Sequence, residues 1–162
     1  MKHVTLLFLI KDDTQEICLA MKKRGFGEGK FNGTGGKIEE GETVPQAALR
    51  EAKEEIGVDI VESDAEYVGT IAFSFDTKPD WGILCTVFMT SKWQGEPFET
   101  EEMAPQWFAI KDIPYNKMWK DDPHWLPHVL DKKIIQASFL FNADGSEVLD
   151  KKVLTVGVQE KR

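Results

Sequence analysis

"GGKIEEGETVPQAALREAKEEIGV", residues 35–58, opens on paired glycines and then sets Glu51, Glu54 and Glu55 at helical spacing, where like charges repel. Whether this stretch is a helix comes first, because the spacing argument depends on it. Thr43 is a good N-cap, and Gln46 three places later completes a capping box. Pro45 falls in the first turn, where its missing N–H costs little. Gly57 follows the last periodic residue, the place where a left-handed residue ends a helix. A helix over Val44 to Ile56 is therefore expected, with both ends marked.

With 3.6 residues per turn, Glu51, Glu54 and Glu55 fall within roughly 100° of arc. Ala48, Leu49, Ala52 and Ile56 form an apolar stripe beside them, so the helix docks on a core and carries carboxylates along its edge. Three glutamates taken alone read first as a solvated face. Yet like charges at i,i+3 and i,i+4 cost about 0.2 to 0.5 kcal/mol per pair, and Arg50 is the cation placed to offset them. A hard divalent cation removes the conflict: Mg²⁺ takes oxygen ligands and is typically shared between carboxylates and substrate phosphates.

The wider spacing reads Gly36, five residues, Glu42, seven residues, then Arg50-Glu51-Ala52-Lys53-Glu54-Glu55-Ile56-Gly57-Val58. This pattern, over residues 36–58, resembles the signature of the Nudix hydrolases, a strand-loop-helix module that binds Mg²⁺ and cleaves nucleoside diphosphates linked to another moiety. Ala52 stands where that family usually has a larger aliphatic residue, a difference in helix packing more than in chemistry.

Composition agrees with a globular protein: 162 residues, 41% hydrophobic and 30% charged. That length suits one domain burying about two-thirds of its unfolded surface. No apolar run is of transmembrane length, and Met1-Lys2-His3-Val4 enters an apolar strand without a small-residue cleavage site, so neither membrane nor secretory leader is expected. Cys18 and Cys85 lie in apolar contexts without metal spacing, which suggests buried thiols and a cytoplasmic setting. A net charge of −8 argues against a polymeric nucleic acid, whose phosphates demand a broad basic surface. A small phosphorylated ligand needs only a local cluster, and Lys22-Lys23-Arg24, with Lys30 and Lys37 nearby, supplies one.

Along the chain, Val4–Ile10 and Glu16–Met21 read as strands of a hairpin. The glycine-rich run Gly25 to Gly36 reads as a loop whose backbone can approach a ligand closely. Further strands are expected at Tyr67–Phe75, Ile83–Thr90, Gln106–Ile110, Ile135–Phe141 and Val148–Val156, with a turn at Asn142–Gly145. A second helix is expected over His124–Lys132, after a loop at Asp121-Asp122-Pro123. Without repeats or linkers this makes one α/β layered domain. The resemblance sharpens that to a single-domain Nudix α/β/α sandwich with a mixed sheet, spanning 1–162.

Outside residues 36–58, four stretches resemble one branch of the family, the MutT-homologue enzymes of animal cells that hydrolyse oxidised purine nucleoside triphosphates. They are "MKKRGFGEGKFNGTGGK" (21–37), "IAFSF" (71–75), "EEMAPQWF" (101–108) and "MWKDDPHWLP" (118–127). By that resemblance Asp121, Asp122 and Asn32 contact the base, Trp119 stacks on it, and Phe73, Met103 and Phe26 line the pocket with Thr5. Two ionised aspartates satisfy only the N–H donors of a guanine-like edge. If one is protonated, because its neighbour's charge and an apolar pocket raise its pKa, it also donates to the carbonyl, a route to both 8-oxoguanine and 2-hydroxyadenine. Phe31 replaces the tryptophan usual before the asparagine. The connection "DTKPDWG" (76–82) is slightly longer than in that branch and brings Trp81 near where its pocket has a methionine.

Each of these residues also has a plainer reading. An Asp-Asp-Pro run is commonly a turn before a helix, Trp119 and Trp125 suit a core, and Phe73 and Phe75 fit ordinary strand alternation. His3, His124 and His128 are not expected to be ligands.

The expected reaction gives a nucleoside monophosphate and pyrophosphate, cleansing the nucleotide pool of oxidised purines. Glu51, Glu54 and Glu55, with the Gly36 carbonyl, hold Mg²⁺, Mn²⁺ being the alternative. Arg50 orients the carboxylates, and Lys22 contacts phosphate. Glu102 is an added ligand or general base, with Glu55 the competing base. Activity should rise toward alkaline pH if a general base or hydroxide limits the rate. The alternatives are a Nudix hydrolase acting on another nucleoside diphosphate derivative and a non-catalytic nucleotide-binding module. The oligomeric state is left open.

Overall fold

The computed structural model describes residues 1–160, so the last two residues of the expected 1–162 domain lie outside the described part. Its strands are β1 (Lys2–Lys11), β2 (Glu16–Lys22), β3 (Phe31–Asn32), β4 (Glu66–Phe75), β5 (Ile83–Thr90), β6 (Met103–Ala109), β7 (Lys133–Phe141) and β8 (Val148–Val158). The helices are α1 (Val44–Ile56) and α2 (Asp122–Leu130). The sheet runs β3-β2-β1-β5-β4-β7-β8, and β6 pairs with β2. It is mixed: β1 with β5 and β4 with β7 are parallel, and the remaining pairs are antiparallel.

Strand alternation builds two cores from one strand. On β1, Leu7 and Leu9 join Ala48, Ala52 and Ile56 of α1 in one apolar layer. Phe8 and Ile10 join Trp125, Leu126 and Val129 of α2 in the other. The helices therefore cover opposite faces, giving the expected α/β/α sandwich. No helix among the described residues is long and apolar enough to cross a membrane.

The cleft that matters arises where β1 and β2 part. They pair only at Ile10↔Ile17 and Lys11↔Glu16. Beyond that point β2 turns to β3, while β1 takes the segment after β3 as its neighbour through bridges Leu7↔Thr34 and Val4↔Lys37. Gly35 makes this possible, because a Cβ there would lie 1.8 Å from the Thr5 carbonyl oxygen.

Several boundaries differ from the sequence reading. The two-residue β3 forms inside the expected loop, held by Ala20↔Asn32 and Met21↔Phe31. β6 begins at Met103 rather than Gln106, because β2 pairs along its full length and Pro105, on an edge strand, need not donate. α2 begins at Asp122, not His124: Pro123 is compatible with a first turn, and the His124 N–H bonds the Asp121 carbonyl at 2.9 Å. It ends at Leu130, where Asp131 closes the last turn and Lys132 takes a positive φ of 62° into β7.

Candidate active site

Helix α1 is capped as the sequence predicts. The Gln46 N–H donates to Thr43 Oγ1 at 3.2 Å, the Thr43 N–H donates to Gln46 Oε1 at 2.9 Å, and Gly57 closes the helix at φ 78°. On its exposed edge Arg50 organises the carboxylates. Its Nε and Nη2 grip Glu42 at 2.6 and 3.0 Å, and Nη1 reaches Glu51 at 2.9 Å and Glu54 at 3.3 Å. Nη2 also donates to the Lys37 carbonyl at 3.0 Å, which ties the helix to the loop before it. A planar guanidinium can serve this many acceptors at fixed angles.

Glu55 faces the other way, into the cleft. Its Oε1 accepts from the Gly35 N–H at 2.8 Å, and burial pushes its carboxyl up to about 7 against that hydrogen bond and the nearby Lys22 charge. Burial also raises Glu51, with Arg50 opposing. Glu54 remains largely exposed.

The cleft holds a cavity of about 260 Å³. It is lined by Thr5, Lys22, Phe26, Asn32, Gly36, Glu55, Phe73, Met103, Trp119, Asp121 and Asp122, so every residue expected to bind substrate reaches it. Asp121 and Asp122 are 3% and 2% exposed. Trp125 Nε1 donates to Asp121 Oδ2 at 2.8 Å, whereas Asp122 Oδ2 and Thr5 Oγ1 are buried without a hydrogen-bond partner. Burial raises both carboxyls, and the Asp121 charge beside Asp122 raises Asp122 further. Both carboxyls are thus held toward their protonated forms, Asp122 under one more raising influence than Asp121. Trp119 packs on Phe26 with ring centroids 5.0 Å apart, and Lys30 lies 5.2 Å over the indole.

Other expected residues sit apart from the cavity wall. Glu102 is paired with Arg24 at 2.5 Å. The basic cluster is divided: Lys22 and Lys30 face the cavity, while Lys23 pairs with Glu99 and Arg24 with Glu102. Trp81 packs edge-on against Phe75 and does not itself line the cavity. Ile83, Cys85 and Phe141 line it without having been expected to. Their signal was strand alternation, which marks a core face but not which part of it is hollow.

The donors suit a hard divalent cation. Glu51, Glu54 and Glu55 offer oxygen alone, and a Cβ on Gly36 would fall 2.5 Å from Glu51 Oε1, so the glycine keeps backbone and carboxylate together. Among the described residues no three His, Cys, Asp or Glu side chains form a ready cage. Glu51 and Glu54 turn to Arg50, and Glu55 to the Gly35 amide. The Gly36 carbonyl accepts from the Thr5 N–H at 2.9 Å and keeps a second lone pair.

Comparison with known proteins fits this geometry. The NUDIX domain family matches residues 1–129. The chain belongs to the Nudix family. Nudix hydrolases generally need a divalent metal. The chain is 41% identical over 140 residues to an oxidized purine nucleoside triphosphate hydrolase of Danio rerio, covering 86% of each chain. It is 42% identical over 127 residues to a protein of the same description from Mus musculus, covering 78% of this chain and 80% of that one. A MutT protein of Bacillus halodurans shares the fold, with TM-score 0.82 and 23% identity over 94% of this chain and 97% of that one. The Nudix match ends within α2, and β7 and β8 continue the same sheet beyond it.

Proposed function

We propose that this Nudix protein hydrolyses oxidised purine nucleoside triphosphates, such as 8-oxo-dGTP or 2-hydroxy-dATP, to the nucleoside monophosphate and pyrophosphate. The observation that carries this reading is that the buried Asp121–Asp122 pair and Glu55 of α1 line one cavity. A base and a phosphate chain can therefore be held at once. The 41–42% identical relatives described as oxidized purine nucleoside triphosphate hydrolases support it.

At the base end, ionised Asp121 accepts from a purine N–H, and protonated Asp122 donates to an exocyclic or ring oxygen. Movement of the shared proton reverses the roles, so two oxidised purines with different donor patterns fit one pair. Asn32 and Thr5 supply further polar contacts, Trp119 a stacking face, and Phe73, Met103 and Phe26 the apolar walls. At the phosphate end Lys22 offsets charge. Glu51, Glu54, Glu55 and the Gly36 carbonyl would hold Mg²⁺, or Mn²⁺ in its place, with Arg50 fixing the carboxylates. Such an ion supplies neutralisation of the triphosphate and a lower pKa for the attacking water. Glu55, or Glu102 arriving from its loop, would take the proton from the attacking water as its oxygen bonds to phosphorus and the α–β bridge opens. One water is consumed and one α–β anhydride bond is broken.

A cytosolic setting goes with the reading, supported by the buried free thiols of Cys18 and Cys85. The test is product analysis of 8-oxo-dGTP with Mg²⁺. Equimolar monophosphate and pyrophosphate are expected, and diphosphate with orthophosphate would overturn the assignment.

A further inference from the structure

We propose that Thr100 is a positioning residue that sets Glu102 against α1 for the hydrolytic step. The inference rests on the reading above and takes Glu102, one of its two candidate bases, as the group that acts in that step.

The Thr100 hydroxyl has one hydrogen to donate and two lone pairs, and all three are engaged. Oγ1 donates to the Glu55 carbonyl at 2.8 Å and accepts the N–H groups of Glu102 and Met103, each at 3.3 Å. The Thr100 N–H returns to the Met103 carbonyl at 2.9 Å, closing the turn. One hydroxyl therefore joins the last turn of the carboxylate-bearing helix to Glu102 and to a residue that lines the cavity.

Glu55 does not need this support, since its backbone belongs to α1 and its carboxylate is held by the Gly35 amide. Glu102 does. It precedes β6 in an exposed acidic loop, and its other ties run to the opposite loop: its carbonyl accepts the Lys23 N–H at 2.9 Å, and its carboxylate pairs with Arg24. The Phe98 N–H also ties this loop to α1, at the Ile56 carbonyl (3.1 Å), but Thr100 is the link that bonds both α1 and the Glu102 amide. Lys23 Nζ, bonded to the Thr100 carbonyl at 2.9 Å and to Glu99, holds the turn from its far side.

The test is a double-mutant cycle on kcat, run on the triphosphate the wild-type enzyme cleaves best and below the melting point of every variant. Thr100→Val keeps the shape and removes the hydroxyl; it should lower kcat about tenfold or more with KM within threefold of wild type. Thr100→Ser should restore kcat to within twofold. In a Glu102→Gln background Thr100→Val should have no further effect, because the residue through which it acts is already disabled. Should Thr100→Val not fold, Thr100→Ser against Thr100→Cys makes the same comparison, a hydroxyl against a weakly bonding thiol of similar size.

A Thr100→Val enzyme with wild-type kcat, a Thr100→Ser enzyme as poor as Thr100→Val, or losses that add in the Glu102→Gln background would overturn the inference alone. A Glu102→Gln enzyme with undiminished kcat removes the role given to Glu102, and this inference with it. Loss of preference for oxidised purines would leave it standing.

Discussion

The Thr5 N–H donates to the Gly36 carbonyl at 2.9 Å. Thr5 belongs to the strand that floors the cavity, and Gly36 begins the pattern that ends in the carboxylates of α1. The proposed base-holding and phosphate-holding ends of the site are therefore joined by the backbone itself.

This junction admits no side chain at Gly35. A Cβ there would meet the Thr5 carbonyl oxygen at 1.8 Å, so Gly35→Ala must separate β1 from the loop and displace the amide that holds Glu55. A loss of about 3 kcal/mol is expected, which is roughly 6–12 °C in Tm for a chain this size, and activity should fall with it. A thermal melt within 2 °C of wild type would show that the junction yields.

Arg50 serves Glu42, Glu51 and Glu54 through a geometry that only a guanidinium supplies. Arg50→Lys keeps the charge and loses the fork. With about 1.5–3 kcal/mol at stake in charge-assisted bonds, kcat should drop roughly ten- to a hundredfold. Steady-state kinetics on the folded variant decide it, and an unaltered kcat would mean that charge alone is enough.

The Asp121–Asp122 pair makes stability depend on pH in a definite direction. Burial raises both carboxyls in the folded state, and the Asp121 charge raises Asp122 further, so the native protein binds protons more tightly than the unfolded chain. That stability is fully present below the unfolded value, near 4, and is lost as pH rises through the folded values. Asp122→Asn removes the Asp122 share of that loss. Its Tm relative to wild type should rise by several degrees between pH 5 and pH 8. A difference that is constant across that range, or larger at pH 5, would contradict the pairing.

Glu55 gives a direct view of the ion. Without metal its carboxyl is pushed up to about 7 by burial. Site-resolved carbon NMR should find a midpoint near that value, falling by more than about one unit on addition of Mg²⁺, since a nearby cation favours the carboxylate. Removing the metal with EDTA should abolish turnover and Mg²⁺ should restore it. A midpoint indifferent to Mg²⁺ would place the ion elsewhere.

Helix α1 is legible in the sequence because its signals are local: Thr43, Gln46, Pro45 and Gly57 mark its ends within one segment. The Asp121–Asp122 pocket is legible by resemblance, yet its physical basis, burial of both carboxyls in a cavity wall shared with Trp119 and Trp125, needs the fold. What sequence cannot carry are partners far apart in the chain. Lys22, Lys23, Arg24 and Lys30 read as one basic cluster until Glu99 and Glu102, more than seventy residues on, claim two of them. Strand β3 is invisible for the same reason, since two residues have no period and exist as a strand only because Ala20 and Met21 lie opposite.

The most direct measurement is kcat/KM with Mg²⁺ for 8-oxo-dGTP and 2-hydroxy-dATP against dGTP and dATP, in wild type, Asp122→Ala and Glu54→Gln. The account predicts that oxidised purines lead by more than tenfold, about 1.4 kcal/mol, that Asp122→Ala erases the lead, and that Glu54→Gln slows all four. Equal, poor hydrolysis of all four substrates by the wild-type enzyme, with Glu54→Gln still harmful, would contradict it: the phosphate machinery would stand and the base pocket would be wrong.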